Sequence, residues 1–185
     1  MKTAGNQLLK KGPMTVDPYS RLVALPVQSE NIFHFPEGLP AFESVKEFVF
    51  LCKPDTRPFF FMQSLNPADL AFVCIDPFLI CSGYEPRISD ADVKCLHLES
   101  MEDALLISIV TVTKDMRDIT TNLQGPIVIN IRASLGKQII CDGQNYPVRY
   151  RVWDMLDHLE KQESRAMEQP GATERQPLVR GHAER

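Results

Sequence analysis

Short apolar runs follow one another along most of the chain, and each ends at proline, glycine, aspartate or asparagine. Runs of this length that are rich in Val, Ile and Phe are typical of β-strands. The pattern predicts about eight strands: Leu22–Val27, Asn31–Phe35, Glu47–Cys52, Phe59–Gln63, Leu70–Ile75, Ala104–Thr113, Pro126–Arg132 and Lys137–Cys141. Strands joined by short connections predict a mainly β fold, a small antiparallel barrel or a sandwich, rather than a βαβ fold.

Two of these runs differ in their expected burial. In IVINIR, Ile127, Ile129 and Ile131 alternate with Val128, Asn130 and Arg132, which predicts a strand with one buried face. ALLISIVTV, which begins at Ala104, is apolar almost throughout. It is therefore interpreted as a central strand covered on both sides.

One short helix is predicted near Ser89–Leu96. Ser89 is a suitable N-cap with Asp92 three residues later, and Ile88 and Val93 are spaced to form a hydrophobic staple. We expect this helix to lie across one end of the barrel.

A second helix is predicted over about Arg151–Met167, where the apolar positions recur at helical spacing and charges occupy the other side. That stripe consists of Val152, Met155, Leu156 and Leu159. We expect it to pack on the chain's own barrel. The predicted organisation is thus a flexible extension (1–21), a barrel domain (22–150), an amphipathic helix (151–168) and a disordered tail (169–185).

The stretch HFPEGLPAFE, residues 34–43, combines two prolines, a glycine and several large apolar side chains. Pro36 and Pro40 fix two φ angles, while Gly38 can adopt a positive φ. A stiff turn of this kind can press Leu39 and Phe42 onto a barrel end. It is either a packed corner, a recognition surface, or both.

Composition places the chain among ordinary globular proteins, with 185 residues, 44% hydrophobic and 24% charged. The five cysteines are odd in number and never spaced C-x-x-C, which favours free, buried thiols in a reducing compartment. The N-terminus has no basic segment followed by an apolar one, and the apolar runs are too short to span a bilayer. These features predict a cytoplasmic location.

Charge is distributed unevenly. Residues 22–146 carry 9 Lys and Arg against 16 Asp and Glu, a net charge of −7, whereas residues 1–21 carry a net +3. An acidic domain repels phosphate, so direct binding of nucleic acid is not expected. The acidic excess suits a basic protein partner or serves solubility alone.

Sequence motifs for catalysis, nucleotide binding or metal binding are not found, and the four histidines are scattered singly. The expectation is a binding protein without enzymatic activity, cofactor or metal. A small-ligand barrel remains an alternative, although Phe59–Phe61 favour a filled interior. An RNA-binding barrel is disfavoured by charge, and the C-terminal helix carries mixed charges unlike those of a membrane-surface helix.

Three motifs in order give a specific resemblance: HFPEGLPAFE, PFFFMQSLNPADLAFVCIDPF, and TTNLQGPIVIN followed by GKQII. The chain resembles the FliW family of flagellar assembly factors over most of 22–150. Ala41 stands where the family usually has Gly, and Gly125 where Ala is common. The resemblance implies a small, β-barrel-like cytoplasmic protein that binds flagellin and also binds the translational repressor CsrA, so that CsrA is sequestered when flagellin is scarce.

Three segments are predicted to form a partner surface: the turn Pro36–Phe42 and the strand ends around Asp76–Phe78 and Thr121–Gln124. They are the most distinctive stretches, and their polar residues lie at strand ends, where recognition residues commonly lie. The alternative is that they are structural corners. The candidate partner-binding residues are Pro36, Glu37, Leu39, Phe42, Asp76, Phe78, Thr121, Asn122 and Gln124.

Overall fold

The computed structural model describes residues 32–154. Nine strands are found there: β1 (Phe33–His34), β2 (Glu47–Leu51), β3 (Phe60–Ser64), β4 (Ala71–Ile75), β5 (Ala104–Thr111), β6 (Thr120–Thr121), β7 (Ile127–Asn130), β8 (Leu135–Gln138) and β9 (Tyr150–Arg151). Two short helices, α1 (Pro77–Ile80) and α2 (Asp90–Cys95), precede β5. Single 3₁₀ turns cover Pro54–Thr56, Met101–Asp103 and Met116–Asp118. The predicted strand Leu22–Val27, both terminal extensions and most of the C-terminal helix lie outside the described residues.

Seven of the strands close into a barrel, which confirms the predicted fold class. The order is β4-β3-β2-β1-β8-β7-β5, and β5 returns to pair with β4. Every neighbouring pair in this ring is antiparallel except β1 and β8, which run parallel through His34 and Leu135. Closure leaves the barrel strands without an open edge.

Strand β5 lies between two hydrophobic cores, which confirms the prediction that it is covered on both sides. Leu105 and Ile107 face the first core, which fills the barrel with phenylalanines such as Phe48 and Phe60. Ala104, Leu106 and Val110 face a second core outside the barrel wall, under α1, α2 and the C-terminal segment. The two cores follow from the period-2 geometry of a strand.

The half-buried prediction for the IVINIR strand is wrong. Ile127 and Ile129 belong to the first core and Val128 to the second, and Asn130 is also buried, so both faces of β7 are covered. The strand also ends at Asn130 instead of Arg132, because the Asn130 side chain accepts hydrogen bonds from the backbone amides of Arg132 and Ala133. That turn starts β8 at Leu135, two residues before the predicted start, and β8 ends at Gln138.

Strands β6 and β9 form a short arm beside β5 that the sequence pattern did not predict. Thr120 pairs with Arg151 and Thr121 with Tyr150. Arg151 therefore lies in a strand and not in the helix predicted to begin there. Val152 is fully buried in the second core, as predicted, and the backbone is helical at residues 153 and 154. Met155, Leu156 and Leu159 lie outside the described residues.

Helix α2 confirms the predicted short helix. Ser89 is its N-cap: the Ser89 side chain accepts a hydrogen bond from the Asp92 amide at 3.1 Å and donates one to the Asp92 carboxylate at 2.6 Å. Ile88 and Val93 both pack against the second core. All five cysteines are free, but only Cys74 and Cys141 are fully buried.

Candidate functional site

The segment Pro36–Phe42, here called the proline loop, follows β1 and is held in one conformation by its own backbone. Gly38 has φ +73°, and a Cβ there would come within 2.7 Å of the Glu43 backbone. Ala41 also has a positive φ, +68°. Both φ values lie in the left-handed region that favours glycine. Leu39 and Phe42 form an isolated β-bridge across the turn that contains Ala41.

Contacts beyond the loop fix it on the barrel. The Ala41 amide donates to the Glu43 carboxylate at 2.9 Å, and the Lys46 ammonium donates to the Pro36 carbonyl at 2.7 Å. Hydrogen bonds from the amides of Glu43 itself and of Ala41 lower the pKa of the Glu43 carboxyl. The rings of Phe42 and Phe72 pack edge to face, with their centroids 5.2 Å apart. The loop is thus both a packed corner and a pre-ordered surface.

Glu37 connects the loop to the neighbouring elements. Its Oε1 lies 2.8 Å from the Nζ of Lys137 on β8, and that same Nζ lies 3.1 Å from Oδ1 of Asp92 on α2. The Cys95 thiol is 3.9 Å from Glu37 Oε1. The hydrogen bond to Glu37 raises the pKa of Lys137, which therefore stays charged.

The Asp76–Phe78 segment follows β4 and begins α1. Asp76 is buried, and its carboxylate accepts a hydrogen bond from the Phe78 amide at 2.8 Å, as expected for an N-cap. The rings of Phe78 and Tyr84 pack edge to face, with their centroids 5.7 Å apart.

Side-chain hydrogen bonds hold the Thr121–Gln124 segment in place. Thr121 is buried and donates to the Ile109 carbonyl. The Asn122 side chain accepts from the amides of Gln124 and Gly125, each at 3.0 Å. A Cβ on Gly125 would come within 2.9 Å of the Asn122 side chain.

The structure brings two of the three predicted segments together. The hydroxyl of Tyr84, which packs on Phe78, donates to the Leu123 carbonyl at 2.6 Å. Burial of Tyr84 raises its pKa, so this hydroxyl remains a donor. Ser108 pairs with Ile75 and donates to the Asn122 carbonyl. The proline loop contacts a different neighbourhood, α2 and β8.

The nine candidate residues divide by exposure. Leu39, Asp76 and Thr121 are buried and serve the fold. Phe78, Asn122 and Gln124 are partly exposed, and Pro36, Glu37 and Phe42 are exposed. Only the partly exposed and the exposed residues can contact a partner directly.

Two exposed apolar residues beside Thr121–Gln124 were not among the predicted site residues. Ile140 is 57% exposed and Val148 is 56% exposed. Each lies next to a residue bonded to this segment, since the Cys141 amide donates to the Gln124 carbonyl and the Leu123 amide donates to the Pro147 carbonyl. Ile140 lies inside the predicted strand Lys137–Cys141, and that prediction gave no signal that its side chain is exposed.

Within residues 32–154, no group of three His, Cys, Asp or Glu side chains is arranged to hold a metal ion. Over the same residues, no helix is long and apolar enough to cross a membrane.

Comparison with known proteins gives a consistent result. A sequence model of the FliW protein family matches residues 19–152. The flagellar assembly factor FliW of Caldicellulosiruptor saccharolyticus is 40% identical over 133 residues, which are 72% of this chain and 87% of that protein. FliW of Desulfitobacterium hafniense is 40% identical over 134 residues, 72% of this chain and 88% of that protein.

The fold agrees with the same relationship. A crystal structure described as that of the flagellar assembly factor FliW matches with a TM-score of 0.64 and 38% sequence identity. The match covers 69% of this chain and 89% of the crystallised one.

Proposed function

The chain belongs to the FliW family of flagellar assembly factors, and from this we propose that it is a cytoplasmic binding protein that captures flagellin and CsrA. The observation that carries the proposal is the family match, which spans residues 19–152 and thus the barrel and its arm. When flagellin is abundant, it occupies this protein, so that none is free to bind CsrA. When flagellin is scarce, the free protein binds CsrA and relieves its repression of flagellin translation.

The charge of the described residues supports a basic partner. The segment from Glu85 to Asp103, which contains α2, carries six acidic residues against Arg87 and Lys94. An RNA-binding repressor is expected to be basic, so this acidic segment is complementary to it in charge and repels RNA itself.

The proline loop supports a protein-binding role for this end of the barrel. Phe42 is 36% exposed and the Glu37 side chain is 61% exposed. A surface that is already ordered loses little conformational entropy when a partner docks.

A small-ligand barrel is the weaker alternative. The barrel interior is filled by Phe33, Phe35, Phe48 and Phe60, all at 2% exposure or less. A ligand in the interior would have to displace these side chains from close packing.

Co-elution of the purified protein with purified CsrA, purified flagellin or RNA tests the proposal. We expect complexes with CsrA and with flagellin, and none with RNA alone. Binding to neither CsrA nor flagellin would refute the proposed function. Binding to RNA alone would favour an RNA-binding barrel instead.

A further inference from the structure

The last described residues fix where the C-terminal segment leaves the barrel. Val152 is fully buried in the second core, and its amide donates to the Ile119 carbonyl at 3.2 Å. The backbone is helical at Trp153 and Asp154, and the Asp154 side chain is 65% exposed. A helix that starts here therefore has its Val152 side toward the barrel and its Asp154 side toward solvent.

The sequence continues the buried side of Val152 as an apolar stripe. Met155, Leu156 and Leu159 follow Val152 at i+3, i+4 and i+7, positions that share one face of a helix. The stripe lies beyond residue 152, where the match to the FliW family ends. An isolated helix of this length is marginal in water, so the stripe needs an apolar surface to fold on.

Exposed apolar side chains are present where this helix would begin. Residues 112–119 connect β5 to β6 and carry Val112 and Met116, each 53% exposed. The Met116 carbonyl accepts a hydrogen bond from the indole N–H of Trp153. The rings of Trp153 and Phe59 pack edge to face, with their centroids 6.2 Å apart. Phe59, Val112 and Met116 are here called the C-terminal seat.

The charges around the C-terminal seat are complementary to those of the segment. Residues 53–59 and 112–118 carry four basic residues against three acidic ones, a net charge of +1 in a domain that is otherwise acidic. Residues 155–168 carry four acidic residues against two basic ones, a net charge of −2. The acidic barrel repels this segment elsewhere, and the C-terminal seat does not.

We propose that residues 155–167 form an amphipathic helix that docks on the C-terminal seat of the same chain and extends the second core. Val152 and Trp153 already hold the chain beside the seat. The first turn of the helix therefore reaches the seat without the loss of translational freedom that a second copy or another protein would incur. This inference goes beyond the proposed function and does not depend on it.

Hydrogen exchange of the full chain tests whether the docked helix exists. In the unsubstituted protein we expect the amides of residues 159–162 to exchange at least about tenfold more slowly than in an unfolded chain. Leu159→Gln removes one side chain of the stripe at nearly constant helix propensity and should restore rapid exchange. Lys161→Gln, on the opposite face, is the matched control and should leave exchange slow. Exchange at the rate of an unfolded chain in the unsubstituted protein would overturn the proposal.

Met116→Gln tests the C-terminal seat from the barrel side. Met116 is half exposed, so its substitution leaves the barrel folded, and we expect exchange in residues 159–162 to accelerate about tenfold. Leu65→Gln is the matched control, because Leu65 is also an exposed apolar residue but follows β3 at the end opposite Phe59. Slow exchange that persists in Met116→Gln would overturn the seat.

The same measurement identifies any other occupant. Protection of residues 159–162 that rises with protein concentration would assign the C-terminal seat to the helix of a second copy. Protection that develops only after purified flagellin or purified CsrA is added would assign the stripe to that partner. Either result would overturn docking within one chain, which predicts the same protection at every protein concentration and without a partner.

Discussion

Asn130 gives the sharpest prediction about what holds the second core together. Its side chain is 2% exposed and makes four hydrogen bonds to backbone groups. The amide donates to the end of α2 at 2.9 and 3.0 Å. The side-chain oxygen accepts from Arg132 and Ala133 and so sets the turn into β8.

Replacing Asn130 by alanine removes all four hydrogen bonds and leaves the buried Leu96 carbonyl without this donor. At about 0.5–1.5 kcal/mol each, with the cost of unsatisfied buried groups included, the free energy of unfolding should fall by about 3–4 kcal/mol. Urea denaturation followed by circular dichroism measures this loss. The control is Asn145→Ala, an exposed position where the change should stay within about 0.5 kcal/mol.

Asn130→Asp keeps the shape and tests the direction of the hydrogen bonds. An ionised carboxylate would face the two carbonyls of α2, so the pKa of the introduced carboxyl should rise in the folded state above its unfolded value of about 3.9. The variant should therefore recover stability, relative to the unsubstituted protein, as the pH falls through that raised pKa. A loss below about 1 kcal/mol in Asn130→Ala, or no recovery at low pH in Asn130→Asp, would refute the reasoning.

Three further predictions concern the loop, the charge and the C-terminal segment. Ala41→Gly should raise the free energy of unfolding by up to about 1 kcal/mol, because the strain of the positive φ, +68°, outweighs the entropy that glycine adds to the unfolded chain. A clear decrease in the free energy of unfolding, measured by urea denaturation, would contradict this. Binding to CsrA should weaken strongly as salt rises to and above about 0.1 M, where the Debye length is about 10 Å, and an affinity independent of salt would assign the acidic excess to solubility alone. The emission of Trp153 should be blue-shifted and protected from quenchers in the isolated protein, because its ring packs on Phe59 and its indole N–H donates to the Met116 carbonyl; a solvent-like spectrum would contradict that docking.

The barrel could be predicted from the sequence where burial is strong and local. The run from Ala104 predicted a strand covered on both sides, and Ser89 predicted the start of α2, because apolar content and capping depend on adjacent residues. Asn130 shows the limit of this reasoning. Its alternation with isoleucines is typical of a half-exposed strand, but its neighbours Leu96 and His97 lie more than thirty residues away.

Elements that depend on distant partners could not be predicted. Thr120–Thr121 and Tyr150–Arg151 are two-residue strands with no periodicity of their own. The first pairs with β5 and with the second, and the second pairs with the first. The parallel contact between β1 and β8 that completes the barrel leaves no local pattern either. The candidate partner surface stays a prediction. The sequence could not show that Tyr84 connects two of its segments or that Lys137 contacts the third, because both contacts join residues far apart in the chain.

The binding of CsrA to the leader of flagellin mRNA, measured with increasing amounts of this protein and then with added flagellin, tests the central claim most directly. The account predicts that the protein releases RNA from CsrA, and that flagellin restores RNA binding by capturing the protein. RNA binding by CsrA that is unchanged by an excess of the folded protein would contradict the account.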